Sequence, residues 1–289
     1  MAYLPLLKSV RYPLIILFLT LGLQSSFAGQ ERNELFAISF GFPDWKPSDK
    51  VSFLHEAGFD GIAGWVMNEI LLAEFKETLE TELVQSGAFK VYGVYFPYRF
   101  SNEEHRALVS KTIEACEPLG VPLWIAIGAS AENDETTVSL LKSICEEAEG
   151  KRIDVILYPH DRNYLLDVED TIRIIKKVGA SNLFTSIQLH HELRAKNSER
   201  LEEIVRYAAP YSKLAVISGT CLPEDVNTGS RDWSDVVKPL SESLYDAESF
   251  FKMLQNSEFK GPVGLMNWKI PGDPKIHHAE SLAILKSWQ

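Results

Sequence analysis

The chain has 289 residues, 45% of them hydrophobic, a length that suits one large globular domain with a self-sufficient core. Its formal net charge of −11 repels polyanions, and its basic clusters are no longer than pairs such as Lys176-Lys177, so no nucleic-acid partner is expected. Three cysteines are too few for a disulfide scaffold.

The first 28 residues stand apart. Lys8 and Arg11 precede an apolar run from Leu14 to Leu23, and Ser26-Phe27-Ala28 offers small residues where a signal peptidase cuts. Residues 1–28 therefore read as a signal peptide, and 29–289 as an exported, periplasmic or extracellular, domain. The apolar run has about half the ~20 residues a membrane span requires, so no stable anchoring is expected after cleavage. In an oxidising compartment Cys116 and Cys145, late in consecutive predicted helices, could pair. Two buried thiols are the alternative, and Cys221 is left over in either case.

From Glu34 onward, short apolar runs alternate with longer amphipathic stretches, the pattern of repeated β/α units around a parallel sheet. The runs predict strands at Leu35–Phe40, Gly61–Trp65, Val91–Phe96, Leu123–Ile127, Asp154–Tyr158, Leu183–Leu189, Leu214–Ser218 and Val263–Asn267. Helical patterns fall between and after them, at Ser48–Ala57, Glu69–Ser86, Glu103–Glu117, Glu132–Glu149, Val168–Val178, Ser198–Ala208, Tyr245–Ser257 and Ile276–Ser287. Ser48, Ser101 and Asp167 stand where N-caps are expected. Eight strands, each followed by a helix, predict an α/β fold of the (β/α)8 TIM-barrel type, and no glycine-rich phosphate loop follows any strand. The irregular stretch Gly219–Ser243, with Asp225, Asn227, Asp232, Trp233 and Asp235, reads as a lid or substrate-contacting loop.

A barrel of this kind carries its site at the carboxyl ends of the strands. The richest ends are the fifth, with Tyr158, His160, Asp161 and Arg162, the sixth, with Gln188, His190, His191 and Glu192, and the eighth, with Asn267 and Lys269. His160, His191 and Glu192, on adjacent strand ends, suit a proton-transfer pair or a metal site. Side chains alternate along a strand, so His190 and His191 cannot both face inward while strand geometry persists, and His191 is favoured. Trp65, Tyr95 and Tyr158 offer flat faces for a sugar, as do Trp45, Tyr98 and Trp268. Arg99, Arg162 and Lys269 suit an anionic or hydroxyl-rich ligand. The fourth and seventh strands end in Ile127-Gly128-Ala129 and Ser218-Gly219-Thr220, without the carboxylates of a barrel glycosidase.

The segments Ile156-Leu157-Tyr158-Pro159-His160, Ile187-Gln188-Leu189-His190-His191-Glu192-Leu193 and Gly261-Pro262-Val263-Gly264-Leu265, followed by Gly272-Asp273-Pro274, together resemble the xylose isomerase-like TIM barrels. This is the sugar phosphate isomerase/epimerase superfamily, and the likeness is to its exported bacterial members. Ala57-Gly58-Phe59-Asp60-Gly61, Lys238-Pro239-Leu240 and Tyr245-Asp246 fit the same layout. The resemblance implies an isomerase or epimerase acting on a sugar or sugar derivative, with strand-end carboxylates and a His around a divalent metal.

Here Gly64, Tyr158, Gln188 and Met266 stand where the family often has carboxylates, while His160 and His191 fit its histidines. The resemblance then implies His160, His191 and Glu192 as catalytic groups, and His160 and His191 as ligands of one loosely held Zn2+ or Mn2+, with no metal as the alternative. Trp65, Tyr95, Arg99, Tyr158, Gln188, Asn267 and Lys269 are expected to bind a small carbohydrate. A non-catalytic carbohydrate-binding barrel is the alternative function.

Overall fold

In the computed structural model, which describes Met1 and residues 32–289 apart from 43, 130, 132 and 227–232, eight parallel strands close into a barrel. They are β1 Leu35–Ile38, β2 Gly61–Trp65, β3 Lys90–Tyr98, β4 Leu123–Ile127, β5 Val155–Leu157, β6 Leu183–Gln188, β7 Ser212–Ile217 and β8 Val263–Leu265. Each pairs with its sequence neighbours, and β8 closes on β1 through Leu35, Phe36 and Ala37 opposite Val263, Gly264 and Leu265. The helices that return the chain are α1 Pro47–Ala57, α2 Glu69–Glu80, α3 Glu104–Cys116, α4 Asp134–Glu149, α5 Val168–Val178, α6 Leu201–Ala208, α7 Ala247–Gln255 and α8 Pro274–Trp288. The expected TIM barrel is thus observed, with residues 33–289 forming one compact unit. The proposed signal peptide lies outside the described residues except for Met1.

Helix starts follow local chemistry, though not at every expected cap. Asp167 caps α5 by accepting from the Asp170 N–H. Asn68, Asn133, Asp246 and Asp273 do the same for α2, α4, α7 and α8. Ser48 lies inside α1, whose start is set by Pro47, and α3 begins after Glu103 without a side-chain cap. The expected Glu69–Ser86 helix breaks at Thr81, whose backbone is extended.

Strand alternation divides the core into layers. Leu35, Ala37, Leu123, Ile125, Val155 and Leu157 face the helices, whereas Phe36, Ile38, Trp124, Ala126, Ile156 and Tyr158 pack together in the barrel interior. Trp124 is fully buried there, and its indole N–H donates to Ser186 Oγ at 2.8 Å. That oxygen also accepts from Gln188 Nε2 at 2.9 Å and donates to the Leu157 carbonyl, which uses its full bonding capacity.

Cys116 and Cys145 are buried thiols in α3 and α4 that form no disulfide, and Cys221 is likewise buried and outside any disulfide. Burial pushes the Cys145 thiol up to about 12 and raises that of Cys116 as well, so neither is a reactive thiolate. Among the described residues no helix is long and apolar enough to cross a membrane.

The stretch after β7 is partly ordered by pairing. Gly219–Thr220 forms a small antiparallel ladder with Val237–Lys238, and the short helix Trp233–Val236 leads into it. Asn227 and Asp232 lie outside the described residues, and the side chain of Asp235 is not described.

Gly264 is packed closely inside the barrel, where a Cβ would come within 2.4 Å of the Phe36 ring. Gly264→Ala is expected to lower stability by about 1–3 kcal/mol, read from urea unfolding, because Phe36 is hemmed in by Tyr92 and Trp124. An unchanged midpoint would contradict this packing.

Candidate functional site

At the carboxyl ends of the strands the barrel opens into a cavity of about 420 Å³. Its floor is aromatic. Tyr158 lies with its ring centroid 4.8 Å from both Trp124 and Tyr95, while Phe40, Trp65 and Trp268 meet edge to face at 5.1–5.8 Å on one wall. Arg99 and Lys269 are exposed at the rim. Burial raises the Tyr95 and Tyr158 phenols well above their ordinary value, so both stay protonated.

The opposite wall is a cluster of imidazoles. His160, beyond β5, and His191, beyond β6, lie with ring centroids 4.2 Å apart, so the adjacent strand ends do bring together the pair that the sequence singled out. His190 also lines the cavity, 4.2 Å from His191. The expectation that only one of the two could face inward fails because β6 stops at Gln188. Residues Leu189–Arg194 turn into a short helix, and strand alternation no longer applies. Trp233 covers the cluster, its ring 5.3–5.7 Å from all three imidazoles.

Hydrogen bonds fix the tautomers. The Asp161 backbone N–H donates to His191 Nδ1 at 3.1 Å, so the ring proton sits on Nε2 and is directed to the Tyr158 hydroxyl at 3.3 Å. In His160 the assignment is reversed. Nδ1–H donates to the Asp161 carbonyl at 2.5 Å and leaves Nε2 as the basic nitrogen. Burial holds all three imidazoles below their usual value, His190 at about 3, so the cluster is neutral at physiological pH.

Three expected site residues lie elsewhere. Glu192 is fully buried away from the cavity, where Oε1 accepts from the Val168 N–H at the start of α5 and Oε2 from Asn197 Nδ2 at 2.8 Å. Its carboxylate serves the start of α5 and does not line the cavity. Gln188 lies on the inner face below the cavity, held by Ser186, and its Oε1 is buried without a partner among the described residues. Asn267 points outward with the alternation of β8 and bonds His278 behind the wall, close against Gly41. Trp65, Tyr95, Arg99, Tyr158, His160, His191 and Lys269 do line the cavity. His190, Phe40, Met67, Pro97, Val237 and Met266 also line it and were not foreseen as ligand-binding; for Phe40, its position two residues past inward-facing Ile38 was the available signal.

The donor set does not fit a divalent metal. The inward positions at the ends of β5, β6 and β8 are a protonated phenol, an amide already bonded to Ser186, and the thioether of Met266. His191 has its only lone pair engaged, and the described residues hold no cluster of three His, Cys, Asp or Glu. His191 could hold a metal only by giving up the Asp161 N–H, and His160 by itself offers a single donor.

A family model described as xylose isomerase-like TIM barrel matches residues 51–288. Among solved structures, the chain is similar to the apo form of 3-keto-D-glucoside 4-epimerase from E. coli, at 15% identity and a TM-score of 0.68, covering 89% of this chain and 100% of that one. It is similar to D-allulose 3-epimerase from Methylomonas sp. in complex with D-allulose, at 15% identity and 0.63, covering 89% and 98%. It also resembles a xylose isomerase-like TIM barrel protein from Mycobacterium smegmatis in complex with magnesium, at 12% identity and 0.63, covering 90% and 97%. A comparison with curated protein sequences finds no match.

Burial pushes the Glu192 carboxyl up to about 8, well above the ordinary carboxylate range. Its contribution to stability is fully present below the unfolded value and is lost as pH rises through the folded one. Glu192→Gln is expected to flatten the fall in melting temperature between pH 5 and pH 8, with Asn197 turning its amide to match. Glu192→Ala, which strips the Val168 N–H and Asn197 of their acceptor, is expected to cost about 2–4 kcal/mol. A wild-type profile already flat over that pH range would refute this assignment of the carboxyl.

Proposed function

We propose a function from one premise: the chain belongs to the xylose isomerase-like TIM-barrel family. The cavity at the carboxyl face of its barrel binds a carbohydrate or carbohydrate derivative, and it does so without a divalent metal. The observation that carries this reading is the composition of the wall, where, among the described residues, aromatic faces, neutral imidazoles and two rim cations surround a space with no inward carboxylate. Aromatic faces suit the C–H surfaces of a sugar ring, while imidazole nitrogens and phenols suit its hydroxyls. The similar structures that include sugar epimerases support the ligand class.

One observation favours chemistry as well as binding. His160 is oriented by the Asp161 carbonyl with Nε2 left as its basic nitrogen, beside the cavity. A neutral imidazole so placed can take a proton from a carbon next to a carbonyl and return it, as an isomerase or epimerase requires. Tyr158 and the rim cations Arg99 and Lys269 are the groups available to hold the sugar oxygens. We also propose that the mature chain works outside the cytoplasm with residues 1–28 removed, on the evidence of the charge and apolar pattern of that segment.

Calorimetric titration of the purified mature protein with a panel of aldoses and ketoses is expected to give saturable binding after exhaustive chelation. Trp65→Ala and Trp268→Ala are each expected to weaken it about tenfold. Binding that vanishes on chelation and returns with Zn2+ or Mn2+ would overturn the metal-free reading. For the catalytic reading, solvent deuterium is expected to enter the bound ketose next to its carbonyl and to be lost in His160→Ala; no incorporation in the wild type leaves a binding barrel. N-terminal sequencing of the exported product is expected to begin at Gly29, and an intact Met1 start would contradict export by cleavage.

A further inference from the structure

Two buried polar atoms beside Trp233 have no hydrogen-bond partner among the described residues. Arg194 has its side chain 5% exposed and donates through Nε to Asp161 Oδ2 at 2.7 Å, yet its Nη1 is buried and unbonded among the described residues. His190 is 1% exposed, and its Nδ1 is buried and unbonded in the same way. Unmade hydrogen bonds of buried polar atoms are costly, and a guanidinium nitrogen is among the costliest to strand.

The two are not scattered. His190 and Arg194 are four residues apart on the short helix Leu189–Arg194, which places them on one face. Both meet the same indole: the Arg194 guanidinium carbon lies 4.8 Å from the Trp233 ring centroid, and the His190 ring stands edge-on to it at 5.7 Å. His190 and Trp233 line the cavity, so this face adjoins the carbohydrate site.

We infer that Arg194 Nη1 and His190, with its ring proton on Nδ1, form a subsite for a carboxylate beside Trp233, so that the ligand is a sugar acid. The inference rests on the carbohydrate reading above and names its substrate class. A carboxylate is favoured over a phosphate by the charge and donor count. Asp161 already engages one edge of the guanidinium, and the imidazole is neutral, so the free donors match a singly charged group with two oxygens and not a dianion with three. Trp233 shields the pair from water, which strengthens a bond to an ionised acceptor.

Calorimetric titration at pH 7 with D-glucuronate, its isosteric amide D-glucuronamide, and D-glucose tests this. The acid is expected to bind about tenfold or more tightly than the amide, because a hydrogen bond to an ionised acceptor is lost with the charge. The acid-to-amide ratio is expected to fall towards one in Arg194→Lys, which keeps a cation for Asp161 but lacks the second guanidinium nitrogen. If that variant does not fold, His190→Gln reads the same ratio. Equal affinity for acid and amide in the wild type, or a ratio that survives substitution, overturns the subsite while sugar binding stands. Tighter binding of glucose 6-phosphate than of glucuronate overturns the choice of carboxylate. If none of these sugars binds, the carbohydrate reading falls and the subsite with it.

Discussion

The indole of Trp124 fills the middle of the barrel, and because it is fully buried its N–H has to be bonded inside. Ser186 meets that requirement, and the consequences spread from there. Its oxygen draws Gln188 Nε2 down towards the barrel axis, and the face of Trp124 supports Tyr158. Tyr158 in turn receives the Nε2–H of His191. The cavity floor is therefore an extension of the barrel core, and the inward positions that could have carried metal-binding carboxylates are committed to packing.

The imidazole wall depends on a second bond, from the Asp161 N–H to His191 Nδ1. It joins the end of β5 to the end of β6 and fixes the tautomer of His191. The next bond along, from His160 to the Asp161 carbonyl, sets the opposite tautomer in its neighbour. One residue thus gives two adjacent imidazoles different chemical characters, one spent on structure and one with a basic nitrogen. Asp161 also anchors Arg194 through its carboxylate, so backbone and side chain of a single loop residue organise much of this side of the site.

Glu192 illustrates how a chemically suggestive residue is absorbed by architecture. It stands next to His191 in sequence, but on a helix adjacent residues point about 100° apart, and Glu192 turns to the outside to serve the first N–H of α5. The suppressed ionisation of its carboxyl follows from burial, which marks a desolvated cap here as readily as it would a catalytic acid.

The sequence by itself determined the barrel, because eight apolar runs separated by amphipathic stretches have only one common way to bury both faces of every strand. It also located the site, since topology sends strand ends to one face, and it brought His160 and His191 together on that basis. What it did not determine was orientation. Asn267 could have been placed outward by extending the alternation of β8, but the inward turn of His190 could not, because it depends on β6 ending at Gln188. Whether Glu192 met a ligand or a helix start, and whether Arg194 and His190 shared one covering indole, were decided only by tertiary structure. Those outcomes depend on where a strand yields to a helix and which distant groups then need hydrogen-bond partners, and a local pattern of residue types does not encode either.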